Sequence, residues 1–331
     1  MWAQGQYHYA CLKDYDTAGR YFEQANQLLP NNSRILESLA YVTRRRGQWK
    51  QSESYFKQAE RLDPRNVHLI TQDATNDICF RRFPEALRKL DEVLNNMPDD
   101  QDILAQKAAV EQAQGNLQRA SALLAPLHLT ADNIVGLETQ VYQAILERRP
   151  APVIPFVKEI LAKPDPASGY FNGELRFWLG WAHEVAGDHA GARESWRQAR
   201  SEMEPFLKTQ PDNFNLIGDL ALANMALGDK AAAMALSERA IAANPVEEDA
   251  VIGPFPLEIL ARVAAQMGEP DRAIAALQKL LSTPYSGSFA FGVPLTPALL
   301  RLDPMFDPLR KDPRFQKFCR ESSRESPPVK Y

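Results

Sequence analysis

Apolar residues recur at helical spacing along most of the chain, and the pattern itself repeats. The segments AGRYFEQANQLLP, SESYFKQAERLDP and EALRKLDEVLNNMP end at Pro30, Pro64 and Pro98, spaced by 34 residues each time. Within them one slot holds Phe22, Phe56 and Leu90, a second Ala25, Ala59 and Val93, and a third Ala18, Ser52 and Ala86. Each therefore reads as an amphipathic helix stopped by a proline, which has no N–H to continue it. A first helix precedes each one, with a small residue at its packing slot (Ala40, Ala74, Ala108). The second half repeats this with Gly180, Ala221 and Ala261 in the small slot and Gly187, Gly228 and Gly268 at the turns, the position that Gly47 and Gly115 fill earlier. Glycine there tolerates the left-handed backbone that ends a helix.

Trp, Leu-Gly, Tyr, Ala, Phe and Pro at such intervals resemble the tetratricopeptide repeat family, a helix–turn–helix unit of 34 residues. The resemblance implies an all-α superhelix (an α-α solenoid) of about seven helix pairs. No unit buries its apolar face alone, so stability comes from stacking neighbours.

The array is uneven. ERRPAPVIPFVKEILAKPDPASG carries Pro150, Pro152, Pro155, Pro164 and Pro166, a density no long helix tolerates. The expected division is an N-terminal lobe of about four repeats over 1–132, a divergent proline-rich joint over 133–166, a lobe of three repeats over 167–285, a capping segment over 286–320 and a disordered tail over 321–331. The alternative to a joint is a degenerate repeat with unbroken stacking. Trp2 and Tyr9 fit the Trp and Tyr slots of a first unit that looks cut, so the chain is either the C-terminal part of a longer protein or one with a frayed first helix.

Beyond Pro284 the repeat ends. Residues 299–316, LLRLDPMFDPLRKDPRFQ, carry three Asp-Pro pairs, each a turn or helix-start signal with Asp capping and Pro in the first turn. Two short helices are expected over the last pair, at 257–265 and 271–281, closing an open apolar end. The segment resembles an ending found after such repeats in bacterial multidomain signalling proteins. That resemblance implies an upstream effector: a serine/threonine kinase, a nucleotide cyclase or a winged-helix domain. None of the kinase motifs is in this sequence.

Composition adds exclusions. The 45% hydrophobic and 24% charged residues are those of an ordinary globular chain, and a net charge of −4 disfavours a general nucleic-acid binder. Cys11, Cys79 and Cys319 are odd in number and far apart, which argues against a disulfide framework or a zinc site. The charge-free stretch between Lys279 and Arg301 is interrupted by three prolines and reads as no membrane span. His183 and His189 fall on opposite sides of Gly187 and do not read as metal ligands. Asp99, Asp100 and Asp102 read as helix-start carboxylates. No nucleophile–base pattern or phosphate loop appears, so the expectation is no catalysis and no cofactor.

The groove-lining positions implied by the family are Tyr41, Arg44, Arg45, His68, Thr75, Phe177, Trp181 and Arg262. Aromatic anchors and Arg–carboxylate pairs there would suit a protein or peptide partner. The Lys/Asn clamp of some relatives is missing, since Glu37 and Tyr41 stand in its place. The expected function is a cytoplasmic protein–protein interaction scaffold with no direct nucleic-acid contact. The alternative is a regulatory module of a larger signalling enzyme, which an upstream membrane helix would place outside the cytoplasm.

Overall fold

The computed structural model describes residues 1–130 and 133–320 of the chain. Among them there is no strand, and the helices form antiparallel pairs. The first pair is α1 (Trp2–Tyr7), running on into a π-helical turn His8–Leu12, with α2 (Tyr15–Leu28). The second is α3 (Ser33–Arg45) with α4 (Trp49–Leu62), the third α5 (Val67–Cys79) with α6 (Phe83–Asn96), and the fourth α7 (Gln101–Gln114) with α8 (Leu117–Leu124). The fifth is α9 (Ile134–Leu146) with α10 (Val153–Leu161), the sixth α11 (Phe171–Val185) with α12 (His189–Thr209), the seventh α13 (Phe214–Leu227) with α14 (Lys230–Ala243), and the eighth α15 (Phe255–Gln266) with α16 (Pro270–Leu281). That is eight pairs against about seven in the sequence pattern, because the proline-rich stretch folds as a pair of its own.

Local signals set the boundaries. Asn32, Asn66, Asp100, Asn133, Asp188, Asn213 and Asp229 each accept a backbone N–H at a helix start. Asp100 of the Asp99–Asp102 cluster is the cap itself, accepting from Ile103 N at 3.0 Å. The turn glycines Gly47, Gly115, Gly187, Gly228 and Gly268 all have positive φ, between 72° and 83°. Gly180 serves close approach. A Cβ on it would run into the Trp196 indole, whose Nε1 donates to the Phe177 carbonyl at 3.2 Å.

The expected joint is stacked material. α9 packs on α7 and α11, and α10 packs on α9 and α11. One core cluster runs unbroken from Ile78 through Leu137, Val141 and Trp178 to Phe315. Pro152 stands at the N-cap of α10 and Pro155 lies within its first turn, where a missing N–H costs no hydrogen bond.

The C-terminal segment meets the last pair as expected, its 3₁₀ helix packing on α15 and Arg314 pairing with Asp271, but it also extends onto α7 and α9. The outward positions of α16, including Asp271, Arg272, Gln278 and Lys279, are polar and exposed, so that end of the array needs no apolar cover. The chain runs across the first helices of several pairs. A helical turn Ala290–Gly292 lies against α7 and α9, α17 (Pro297–Leu302) packs on α7, and a 3₁₀ helix Pro304–Leu309 packs on α15. α18 (Pro313–Arg320) packs back on α17, and Arg314 reaches Asp271 on α16 at 2.8 Å. Asp303 and Asp312 cap as expected, accepting from Met305 N at 2.9 Å and Arg314 N at 2.8 Å. Asp307 differs: it holds Arg148 at 2.9 Å, and Pro308 sits inside the 3₁₀ helix. The disorder expected for 321–331 lies outside the described residues.

A second long-range tie comes from the insertion before α15. Asp249 accepts the Tyr15 hydroxyl at 2.8 Å and pairs with Arg45 at 2.8 Å, and Ala250 N donates to the Arg45 carbonyl at 2.8 Å. Val251 packs with Trp49, Cys79 and Phe80. The seventh-to-eighth connection thus docks on the first three pairs.

Candidate functional site

The C-terminal segment lies against α7, α9 and α15, each the first helix of its pair. Its deepest point is an ionic knot. Arg262 on α15 is 1% exposed and pairs with Glu258 at 2.9 Å and with Asp303 of the C-terminal segment. Tyr142 on α9 donates to Asp303 at 2.8 Å, and Tyr285 donates to Glu258 at 2.7 Å. Burial opposes the Arg262 charge, but Asp303, Tyr142 and Glu258 outweigh it and keep the guanidinium protonated. The same guanidinium lies 4.3 Å from the Phe289 ring centroid and 5.0 Å from that of Phe306. Arg81 is buried beside this knot and donates to the carbonyls of Leu280 and Leu295 at 3.0 and 2.9 Å.

The candidate residues named from the sequence separate into groups. Tyr41, Arg44, Arg45 and His68 come together on the first three pairs. The Tyr41 hydroxyl donates to Glu37 and lies 3.1 Å from His68 Nε2, while the Arg44 guanidinium is 5.4 Å from the Tyr41 ring centroid. Arg44 is buried, donating to Gln72 Oε1 at 3.1 Å, and Arg45 is engaged by Asp249. His68 is exposed, and Thr75 donates to the Thr71 carbonyl at 3.0 Å, within its own helix. Phe177 is core, against Trp178. Trp181 is nearly buried beside Trp196 and borders a shallow cleft with His189 and Arg193. Arg262 sits in the knot, far from solvent. His183 and His189 do not converge: they meet Asp188 at 2.7 Å and Glu184 at 2.9 Å respectively.

Between α9, α11, α13 and the turn of the C-terminal segment lies a cleft of about 430 Å³. Its walls carry Tyr170, Phe171, Phe214, Phe255, Phe289 and Phe291, and its polar lining includes Glu138, Glu174 and Asp219. Phe171, 39% exposed, stacks on Tyr170 at 4.5 Å at the mouth. Glu138 accepts the Ala290 N–H at 2.9 Å. Burial pushes all three carboxyls up, Glu174 to about 7, and Glu174 raises Glu138 and Asp219 further by like charge. The far wall is conformationally strained at Ala290 and Phe291, with φ of 45° and 55°, and relaxed at Gly292, where φ is 69°. Mapping groove positions onto the sequence missed these acids, although the signal was present: acidic residues on three successive first helices. The wall from 286–292 left no signal, because nothing local states where that segment docks.

No curated protein matches the chain. Among solved structures, a tetratricopeptide repeat protein from Parabacteroides merdae is similar at 14% identity and a TM-score of 0.39, covering 83% of this chain and 89% of that one. The C-terminal part of a repeat-containing protein from Cytophaga hutchinsonii is similar at 12% identity and a TM-score of 0.35, covering 94% and 100%. The pilus biogenesis factor PilW is similar at 18% identity and a TM-score of 0.33, covering 75% and 91%. The chain is an array of stacked helix pairs, of which residues 193–248 match the tetratricopeptide repeat family.

Proposed function

We propose that the chain is a non-catalytic scaffold that takes a segment of a partner protein on its concave side, at the cleft left open beside its own C-terminal segment. One observation carries this reading. This cleft keeps exposed aromatic surface at Phe171 and is lined by the carboxyl side chains of Glu138, Glu174 and Asp219. Apolar walls with a few convergent polar groups are what a side-chain anchor requires. Panning a random peptide library against the folded protein should enrich a shared motif. The enriched peptide should slow amide exchange in α11 and α13 and leave α4 and α6 unchanged. No enrichment, or protection confined to the outer helices, would refute it.

A second reading follows from the C-terminal segment. Residues 299–316 resemble the ending of bacterial signalling proteins, and here Asp303 of that stretch is the hub of the buried knot. On this reading the scaffold is the regulatory part of a cytoplasmic kinase or cyclase. A genomic reading frame that continues upstream of the Met1 codon into such a domain would support it, and an in-frame stop there would end it. Among the described residues no helix is long and apolar enough to cross a membrane.

A further inference from the structure

The chain neutralises its deep carboxylates with internal cations nearly everywhere. Asp73 and Asp77 meet Lys89, Asp249 meets Arg45, Glu258 and Asp303 meet Arg262, and Glu111 lies 4.0 Å from Arg119. The cleft breaks that habit. Asp219 is 9% exposed and aimed into the cleft, and among the described residues it has no hydrogen bond and no ion pair. Glu174, half-buried on the neighbouring helix, has none either, and Glu138 has only the Ala290 N–H. An unpaired buried carboxyl is costly. Three of them lie on adjacent helices around one opening; raised by burial they hold protons rather than standing charge, with Arg262 offsetting part of the Glu138 shift, and an entering cation would let them ionise.

We infer that the cleft receives the cationic head of a lysine or arginine side chain from the partner segment, an inference that rests on the scaffold reading above. The walls suit that head. Aromatic faces attract ammonium and guanidinium groups, most strongly where water is excluded, and Tyr170, Phe214, Phe255 and Phe289 present such surface. Phe214 already does so on the outside: the Lys13 ammonium lies 5.2 Å from its ring centroid, without pairing to Asp219. The volume of about 430 Å³ accommodates an alkyl chain with a charged end. The three acids do not form a coordination set. Among the described residues no group of three His, Cys, Asp or Glu is placed to hold a metal ion.

The probes are N-acetyl-lysine methylamide, its uncharged analogue N-acetyl-norleucine methylamide, and 1,5-diaminopentane, titrated into the full chain while following the Gly287 and Gly292 amides by NMR. The lysine derivative should bind about tenfold or more tightly than the norleucine one. Asp219→Asn should abolish that preference while raising the melting temperature, which shows that the variant folds. Glu174→Gln supplies a second variant with the same expectation. Equal binding of the two amino-acid derivatives, no binding of either, or a preference that survives both substitutions would overturn the inference. Binding of the diamine alone would assign the site to a free amine and overturn the partner side chain. The two readings fail separately. Peptides without a basic residue that still protect α11 and α13 would keep the scaffold and sink this inference, and a lysine preference without any enriched peptide would leave a cation-selective cleft but overturn the partner segment in both readings.

Discussion

Replacing Asp303 with alanine removes the hub through which the C-terminal segment holds the groove. The carboxylate is fully buried, pairs with Arg262, accepts the Tyr142 hydroxyl at 2.8 Å and caps the 3₁₀ helix through Met305 N at 2.9 Å. Breaking one side of a buried pair costs about 3–5 kcal/mol, since the remaining charge stays desolvated. A lost cap adds about 1 kcal/mol. Glu258 keeps Arg262 partly compensated, so the terms do not simply add, and about 4–6 kcal/mol is expected. With an unfolding entropy of about 2.1 cal/mol/K per residue, a chain of 331 residues has about 0.7 kcal/mol/K, and the midpoint should fall by about 6–9 °C. Differential scanning calorimetry measures it directly. Asp307→Ala is the internal control. It stands in the next Asp-Pro pair, but its ion pairs with Arg148 and Arg310 are exposed. Pairs of that kind contribute about 0–1 kcal/mol. Equal shifts in the two variants, or an Asp303→Ala shift below about 2 °C, would show that the knot does not hold the segment.

Gly180→Ala should destabilise by about 1–3 kcal/mol, because the new methyl meets the Trp196 indole; a urea midpoint equal to that of the natural chain would contradict the close approach of α11 and α12. Truncation after residue 293 removes the buried Leu295, Leu299, Leu300, Met305, Phe306, Leu309 and Phe315, each contributing roughly 1.5–3 kcal/mol; light scattering should show aggregation, and a monodisperse, equally stable product would refute the role of the segment. The cleft acids give a pH dependence with a defined sign. Glu174 is raised from 4.5 to about 7, so between those values the folded chain holds a proton that the unfolded chain releases, and stability falls as pH rises through that window. Glu138 and Asp219 add in the same sense, Arg262 offsets part of the Glu138 effect, and Glu258 adds to it. Glu174→Gln should therefore gain in melting temperature over the natural chain progressively across the window, and a pH-independent difference would contradict the assignment.

The helices and their pairing were legible because local marks recur along the chain: Asn or Asp caps at many helix starts, turn glycines, terminal prolines and a 3.6-residue apolar stripe. Where the C-terminal segment goes beyond the last pair was not legible. Its apolar anchors announced burial, but its extension onto α7 and α9 depends on these helices offering carbonyls and charges from far away in sequence. Thr296 donating to the Ala113 carbonyl is such a contact. The groove list shows the same limit. Arg45, Arg262 and Phe177 were placed on the right helices, yet the insertion at 249–251, the C-terminal segment and the core consume them, and no local pattern reveals such a partner.

The docking of the 249–251 loop onto the first pairs also changes how such an array comes into being. A linear stack can nucleate anywhere, grow neighbour by neighbour and fray from its ends. Here Tyr15 and Asp249 are separated by 234 residues, and Arg81 and Leu295 by 214. Contacts of that range form only after the intervening pairs are in place, so closure is a late, entropically costly event and slows the approach to the native state. The same latch holds both ends of the stack, so the first pair cannot peel away while Asp249 grips Tyr15 and Arg45. Unfolding then begins with release of the latch rather than with fraying, and stopped-flow kinetics should give an unfolding rate that responds to Asp249→Asn far more than the folding rate does.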